Sequence, residues 1–518
     1  MLIRPLALMF AALAFAASAA GAEEPGVTLV RSYCSGCHRE TQPGRFERIS
    51  AIRKTPEGWV MTLFRMRQVH HLALSDEVHE GIVRYLADRQ GLAPVEAAPA
   101  RFALERRPNV KDLDLGPELG VMCGRCHSLA RVALQRRDAD EWLKHMHFHL
   151  GQFPSLEYQA SGRDRQWWQI ASEQLPAELA HRFPLSTPEW SAWQDHAKPD
   201  LAGLWVVVGH VPGGRDFYGS AEIAREADGT YRARYALEEA GGPSFAGDSH
   251  AIVYTGYEWR GRAALGGSAV REVFAASEDG TRLTGRWFDP EHAEQGGEWT
   301  ALRADGAPGV LAVLPQAARA GRTTRVYVLG TGLAGADAPS FGAGTRARIV
   351  RRDANLIEAD VEVAADAAAG QRTISASGAH GTLAIYREIS QIEVRPSYGI
   401  ARVGGGRVAP VTAQFEAFAS TRLPDGQLLA LGPVAAEWST RPFDEEAKRT
   451  SDDRFAGHIE PNGRYLPAGA GPNPAREFSG NNVGNLTVVA RVGEGPAAVE
   501  GEAHLVVTVQ RWNTPPIY

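Results

Sequence analysis

Two copies of Cys-x-x-Cys-His, spanning Cys34–His38 and Cys123–His127, use all four cysteines of this chain. No other feature constrains the fold as tightly. Each copy has the spacing of a covalent c-type haem attachment site: two thiols positioned for one porphyrin, followed by an imidazole for its iron. A lone Cys-x-x-Cys also fits a redox dithiol or half of a zinc site. Two complete copies with no cysteine left over favour two covalently attached haems. The assignment makes Cys34, Cys37, Cys123 and Cys126 the attachment residues and His38 and His127 the proximal iron ligands. With every thiol committed, no disulfide can staple the chain, so it must rely on ordinary cores or subunit contacts.

The N-terminus agrees with this chemistry. Arg4 precedes an apolar run from Leu6 to Ala20, and Ala20-Gly21-Ala22 supplies a small-residue cleavage site before Glu23. This reads as a secretory signal peptide over residues 1–22, with a soluble periplasmic mature chain and no lasting membrane anchor. The formal net charge is −6 over 518 residues. No basic stripe suggests nucleic-acid binding.

The chain changes character near residue 198. Residues 23–198 show helical periodicity and read as a tandem all-α di-haem cytochrome c domain. Each half has a haem motif, then a tryptophan opening an amphipathic segment: Trp59 to Met66 in one, Trp142 to His149 in the other. Pro94-Val95-Glu96-Ala97-Ala98-Pro99 reads as the linker between the halves. Ser75 is a plausible N-cap, Val78, Ile82, Val83 and Leu86 form an apolar stripe, and Gly91 ends that helix.

The repeat orders the candidates for the second axial ligand of each iron. Met61, Met66, His70, His71 and His79 compete in the first half; His145, Met146, His147 and His149 compete in the second. Aligning the tryptophans sets Met66 opposite His149, each seven residues on. The expectation is His38/Met66 for the first haem and His127/His149 for the second. A thioether raises the potential relative to a second imidazole, so the first haem becomes the better electron acceptor.

Beyond Leu201 the sequence reads as three antiparallel all-β domains: a barrel-like unit over 199–304, an Ig-like sandwich over 305–389 and a C-terminal sandwich over 390–518. Leu204 to Val208 resembles a buried strand, and Asp228-Gly229 and Asp279-Gly280 divide alternating runs as hairpin turns do. Thr324 to Leu329, Ala347 to Val350, Leu356 to Val363 and Arg372 to Ser377 look like sandwich strands, and His504 to Trp512 like a last strand. His210, Asp216, Tyr218, Asp248 and His250 could converge, but scattered polar turn residues are the commoner case, and no catalytic residue is assigned. Trp287, Trp299, Trp438 and Trp512 read as core or interface anchors.

Taken together, the leader, the di-haem unit and the β-domains resemble the alpha subunit of quinohaemoprotein amine dehydrogenase. The most specific local match is the stretch from Trp142 to Pro154, followed by Leu156-Glu157-Tyr158. The resemblance covers essentially the mature chain. It implies a heterotrimer with a β-propeller beta subunit and a small gamma subunit carrying a cysteine tryptophylquinone. That quinone oxidises primary amines, and electrons leave through the haems to a soluble cytochrome c or cupredoxin. Because every cysteine here is taken by haem, the quinone belongs to a partner. In this scheme the His127/His149 haem receives electrons and the His38/Met66 haem delivers them. Two rival readings are a di-haem cytochrome serving another dehydrogenase and a di-haem peroxidase, which needs an open distal position.

Overall fold

The computed structural model describes residues 24–101, 113–124, 127–152, 165–335, 338–405 and 408–509. The leader, Cys126, the Pro154 to Tyr158 stretch and Trp512 lie outside them.

The first haem unit is built on three helices. Pro25–Cys34 starts with proline at its first turn and ends on the first cysteine of the motif. Pro56–Val69 is capped by the Thr55 hydroxyl, which accepts from the Gly58 N–H. Asp76–Gln90 is capped by Ser75, whose hydroxyl accepts from Val78, and it stops at Gly91 as the sequence requires. Val27 and Val30 of the first helix pack with Ile82, Val83 and Leu86 of the last, around Trp59 and Leu63. In the second unit Leu119, Met122, Trp142, Met146, Leu175 and Leu179 form the matching core.

The expectation of an all-α N-terminal domain needs correction. Glu40–Gln42 pairs with Arg45–Phe46, and Ile52–Lys54 pairs antiparallel with Gln135–Arg137. The second pairing joins the two units that carry the Cys-x-x-Cys-His motifs. Each strand is the extended approach to a tryptophan helix, and it is largely buried. Buried backbone N–H and C=O groups need partners, and each unit supplies them to the other. In this ladder Arg53 stands directly opposite Arg136. These residues occupy the same place in both halves, six before their tryptophans, so the ladder centre is a local pseudo-two-fold.

The supposed linker is also ordered. Pro94–Ala97 is a short helix, and Glu96 lies at the centre of a buried ion network. Its carboxylate accepts from Arg53 through two bonds of 2.8 Å, from Arg136 at 3.3 Å and from the Thr187 hydroxyl at 2.9 Å. The segment joins the halves as a packed element.

The three β-units appear as expected in kind. Eight strands from Gly203–His210 to Gly296–Arg303 form a closed antiparallel barrel, sealed where the last strand pairs with the first. Closure leaves no edge strand open. Along Tyr231–Glu239 the side chains Tyr231, Ala233, Tyr235 and Leu237 point inward and alternate with exposed residues. Trp205, Trp259, Trp299 and Phe274 fill the interior, and Trp287 packs against it from a partly buried position. Gly229 and Gly280 take the left-handed conformation their Asp-Gly turns demand, with φ of 79° and 66°. The barrel core continues without a break into Leu92, Ala93, Ala97, Trp190 and Trp193, so the haem units and the barrel share apolar packing.

The next unit is a sandwich of a four-stranded and a three-stranded sheet, including Thr323–Thr331, Thr345–Arg352, Leu356–Val363 and Gly370–Ala376. The last unit packs three small sheets. Its final described strand is Val499–Thr508, five residues earlier in onset than the sequence suggests. Trp438 packs at the margin of its core. Among the described residues no helix is long and apolar enough to cross a membrane.

Candidate functional site

The first haem motif begins where its helix ends. Cys34 closes the helix and its carbonyl accepts from the N–H groups of Cys37 and His38, at 3.1 and 2.8 Å. This winds the five residues into one tight turn. Cys34 is buried, and that burial, aided by Cys37, pushes its thiol up to about 11; Cys37 is exposed. His38 donates from Nδ1 to the Glu47 carbonyl at 3.1 Å. A hydrogen bond there makes Nε2 the lone-pair nitrogen and fixes the ring's orientation, as metal-bound histidines require. Burial foremost lowers the pKa of His38, with the positive fields of Arg48 and His70 adding to it.

The structure strengthens the repeat that links Met66 to His149. Pro56–Val69 and Ala139–Gln152 are both fourteen-residue helices. Trp59 and Trp142 are each 1 % exposed and hold the fourth position. Met66 and His149 hold the eleventh. Met66 is half-buried in the last turn, where its carbonyl accepts from the N–H groups of both His70 and Leu72 at 3.1 Å. His70 caps the helix and lies within electrostatic reach of His38. His71 is exposed with φ of 54°, and His79 lies on the neighbouring helix.

In the second unit Pro117–Met122 leads into Cys123, whose N–H bonds the Leu119 carbonyl at 2.8 Å. His127 donates from Nδ1 to the Ser128 carbonyl at 2.8 Å, and His149 donates from Nδ1 to the His145 carbonyl at 2.8 Å. Both rings therefore direct an Nε2 lone pair away from the backbone. Their centroids are 6.4 Å apart, with planes inclined at 41°. A metal held between two imidazoles by bonds of about 2.0–2.1 Å sets the ring centroids roughly 6 Å apart. The residues present therefore fit an iron between them. The other candidates are placed differently: Met146 is core, His147 packs edge-on to Trp168, and His145 lies against Phe148 and Trp142.

Sequence reasoning missed the basic seam between the units. Lys54 and Arg137 hold equivalent places, five residues before Trp59 and Trp142, and both are buried. Arg65 and Phe148 are also equivalent, six residues after those tryptophans. They stack across the pseudo-two-fold, with the guanidinium 4.8 Å from the ring centroid. The available signal was the Arg53-Lys54 and Arg136-Arg137 pairs, repeated at one distance from each tryptophan.

Of the polar residues weighed in the barrel, His210 and Asp216 do meet, joined by Glu416 from the C-terminal unit. His210 donates from Nδ1 to Asp216 at 2.8 Å and from Nε2 to Glu416 at 2.7 Å. The arrangement clamps two domains together. Tyr218 instead accepts from Arg351, and His250 pairs with the Thr230 hydroxyl.

Comparison with known proteins places family matches along nearly the whole chain. Four models for the alpha subunit of quinohemoprotein amine dehydrogenase match in succession: haem binding over residues 24–190, domain II over 198–304, domain III over 307–387 and domain IV over 392–517. No curated protein matches. Among solved structures, a redesigned beta barrel bound to DFHBI is 16% identical, with TM-score 0.18, covering 20% of this chain and 94% of its own. The mouse clustered PcdhgC3 EC1-3 structure is 14% identical, with TM-score 0.16, covering 46% and 86%. A Bacteroides ovatus SGBP-B in complex with mixed-linkage heptasaccharide is 12% identical, with TM-score 0.19, covering 59% and 64%.

Proposed function

The chain belongs to the quinohemoprotein amine dehydrogenase alpha-subunit family, and from that premise we propose that it is the di-haem electron-transfer subunit of a periplasmic amine dehydrogenase. The enzyme to which this family contributes is an oxidoreductase, and an alpha subunit implies further subunits. In this reading the amine is oxidised at a cysteine tryptophylquinone in a small gamma subunit, beside a β-propeller beta subunit. This chain then relays electrons to a soluble cytochrome c or cupredoxin. Residues 1–22 act as the export signal.

One observation carries the reading: the ring of His127, inside an attachment motif, lies 6.4 Å from that of His149, and each engages a backbone carbonyl through Nδ1, which leaves its Nε2 free for a metal. Cys34 and Cys37 hold the first haem and Cys123 and Cys126 the second, through thioethers. His38 and His127, oriented by the Glu47 and Ser128 carbonyls, would each offer Nε2 to an iron, and Met66 and His149 would supply the second ligand of each. Haem iron supplies reversible one-electron chemistry when bound, its potential set by the axial pair and by surrounding charge. The His149 ring 6.4 Å from that of His127 counts against the peroxidase reading at the second site, which needs an open position.

The test is purification from the native periplasm, followed by a denaturing gel stained for haem and for quinone. Haem on this chain with quinone on a small co-purifying band is the expected result. Haem here without a quinone partner would return the function to a di-haem cytochrome serving another dehydrogenase.

A further inference from the structure

We propose that Lys54, Arg65, Arg137 and the indole N–H of Trp142 form the seat for a porphyrin carboxylate at the seam between the two haem units. The inference rests on the haem reading above and assigns a role to side chains which that reading leaves without one.

Lys54 and Arg137 are 4 % and 2 % exposed. Lys54 donates to the Thr62 hydroxyl at 2.7 Å, and its ammonium lies 5.3 Å from the Trp59 ring centroid. Arg65 donates to the same hydroxyl at 3.3 Å and stacks on Phe148. Arg137 donates to the Gln135 side chain at 3.2 and 3.1 Å and reaches the Glu141 carboxylate only at 4.0 Å. Glu141 itself is shared with Arg48 at 3.4 Å and Lys144 at 2.9 Å. Three cations, Lys54 and Arg137 buried and Arg65 half-buried, therefore share a seam whose carboxylate, Glu141, is divided among Arg48, Lys144 and Arg137. Burying such charges without a counter-anion is strongly unfavourable.

A second, independent observation points to a ligand of the same chemistry. The Trp142 Nε1–H is buried and has no hydrogen-bond acceptor among the described residues. Its repeat counterpart is satisfied within the protein, because Trp59 Nε1 donates to the Gln90 carbonyl at 3.2 Å. Buried donors are rarely left unpaired, so the asymmetry calls for an acceptor in the second unit. The Arg137 guanidinium lies 5.5 Å from the Trp142 ring centroid, and Arg65 and Arg137 both exert their fields on His149. The required ligand is thus an anion with strong acceptor oxygens, arriving beside the His127/His149 pair. A porphyrin carries its carboxylates there as part of the cofactor. A partner subunit's Asp or Glu is the competing source of the same chemistry.

The experiment uses the matured complex and its Arg65→Gln, Trp142→Phe and Arg65→Lys variants. Resonance Raman reads the propionate-bending vibration, and a spectroelectrochemical titration reads both potentials. The expected result is two haems per chain throughout and a shifted propionate vibration on one haem in Arg65→Gln and Trp142→Phe. That haem's potential falls in Arg65→Gln, and Arg65→Lys returns the vibration toward wild type. Unmoved vibrations with two haems bound would overturn the proposal. So would a fall in potential alone, since a cation acting through space produces that, as would one paired with a partner's carboxylate. Should Trp142→Phe fail to fold, Arg65→Gln, at a half-buried position, still decides. Fewer than two covalent haems on the wild-type chain would instead defeat the haem reading itself.

Discussion

The rings of His127 and His149 stand with centroids 6.4 Å apart, and each donates its Nδ1 proton to a nearby backbone carbonyl. The first comes from a haem motif and the second from the eleventh position of a helix. Neither ring can turn without breaking its bond to the backbone. Such bonds fix ring orientation, which is what the proposed ligand role of the pair requires.

Replacing His149 with alanine should keep haem covalently attached, because Cys123 and Cys126 are untouched. It should abolish the low-spin bis-imidazole signal in electron paramagnetic resonance. His149→Met should restore a six-coordinate haem at a higher midpoint potential, since a thioether favours the ferrous state. An unchanged spectrum in His149→Ala would remove this residue from the coordination sphere.

Met66→Ala should eliminate the near-infrared band of a thioether-ligated ferric haem, while His70→Ala should leave it intact. The two residues compete because both sit at the end of one helix and His70 lies within electrostatic reach of His38. Absence of that band in the wild-type oxidised protein, with a bis-imidazole signal at both haems, would give the site to His70.

The clamp between the barrel and the C-terminal unit should be pH-dependent. Burial disfavours the His210 cation, but its hydrogen bonds to Asp216 and Glu416 outweigh this and raise it from 6.5 to about 9. The folded value lies above the unfolded one, so the stabilisation is fully present below pH 6.5 and disappears as pH rises through about 9. Its size is on the order of 2 kcal/mol after allowing for partial exposure. Thermal unfolding of wild type and His210→Gln across this window should show the two curves converging at high pH. A constant gap would refute the linkage.

Glu96→Ala should be among the most destabilising single changes in the haem region. It deprives Arg53 and Arg136, both buried, of their shared carboxylate. Removing one partner from such a network costs about 3–5 kcal/mol. Denaturant unfolding followed by haem-region absorbance should show an earlier transition, and a midpoint within error of wild type would contradict the role.

Local rules made much of the chain legible. The Ser75 cap, the Gly91 stop and the Asp-Gly turns at 228 and 279 depend only on residues a few positions apart, and they stand where the sequence puts them. The equivalence of Met66 and His149 was likewise visible from two tryptophans at matching distances. What escaped sequence reading depends on residues distant in the chain. Arg53 meets Arg136 through a ladder between two units, and Glu96 in a supposed linker neutralises both. His210 finds Glu416 more than two hundred residues later.

By itself, the sequence determined that this chain carries two Cys-x-x-Cys-His motifs in a helical region and continues as β-domains, because motifs and short-range periodicity act over a few residues. Only the tertiary structure decided that the haem units are joined by a strand pair, that His149 stands against His127 and that a cationic seam lies between them. Each of those rests on burial, and burial of a backbone amide, an imidazole or a guanidinium is a property of what the rest of the fold packs around it.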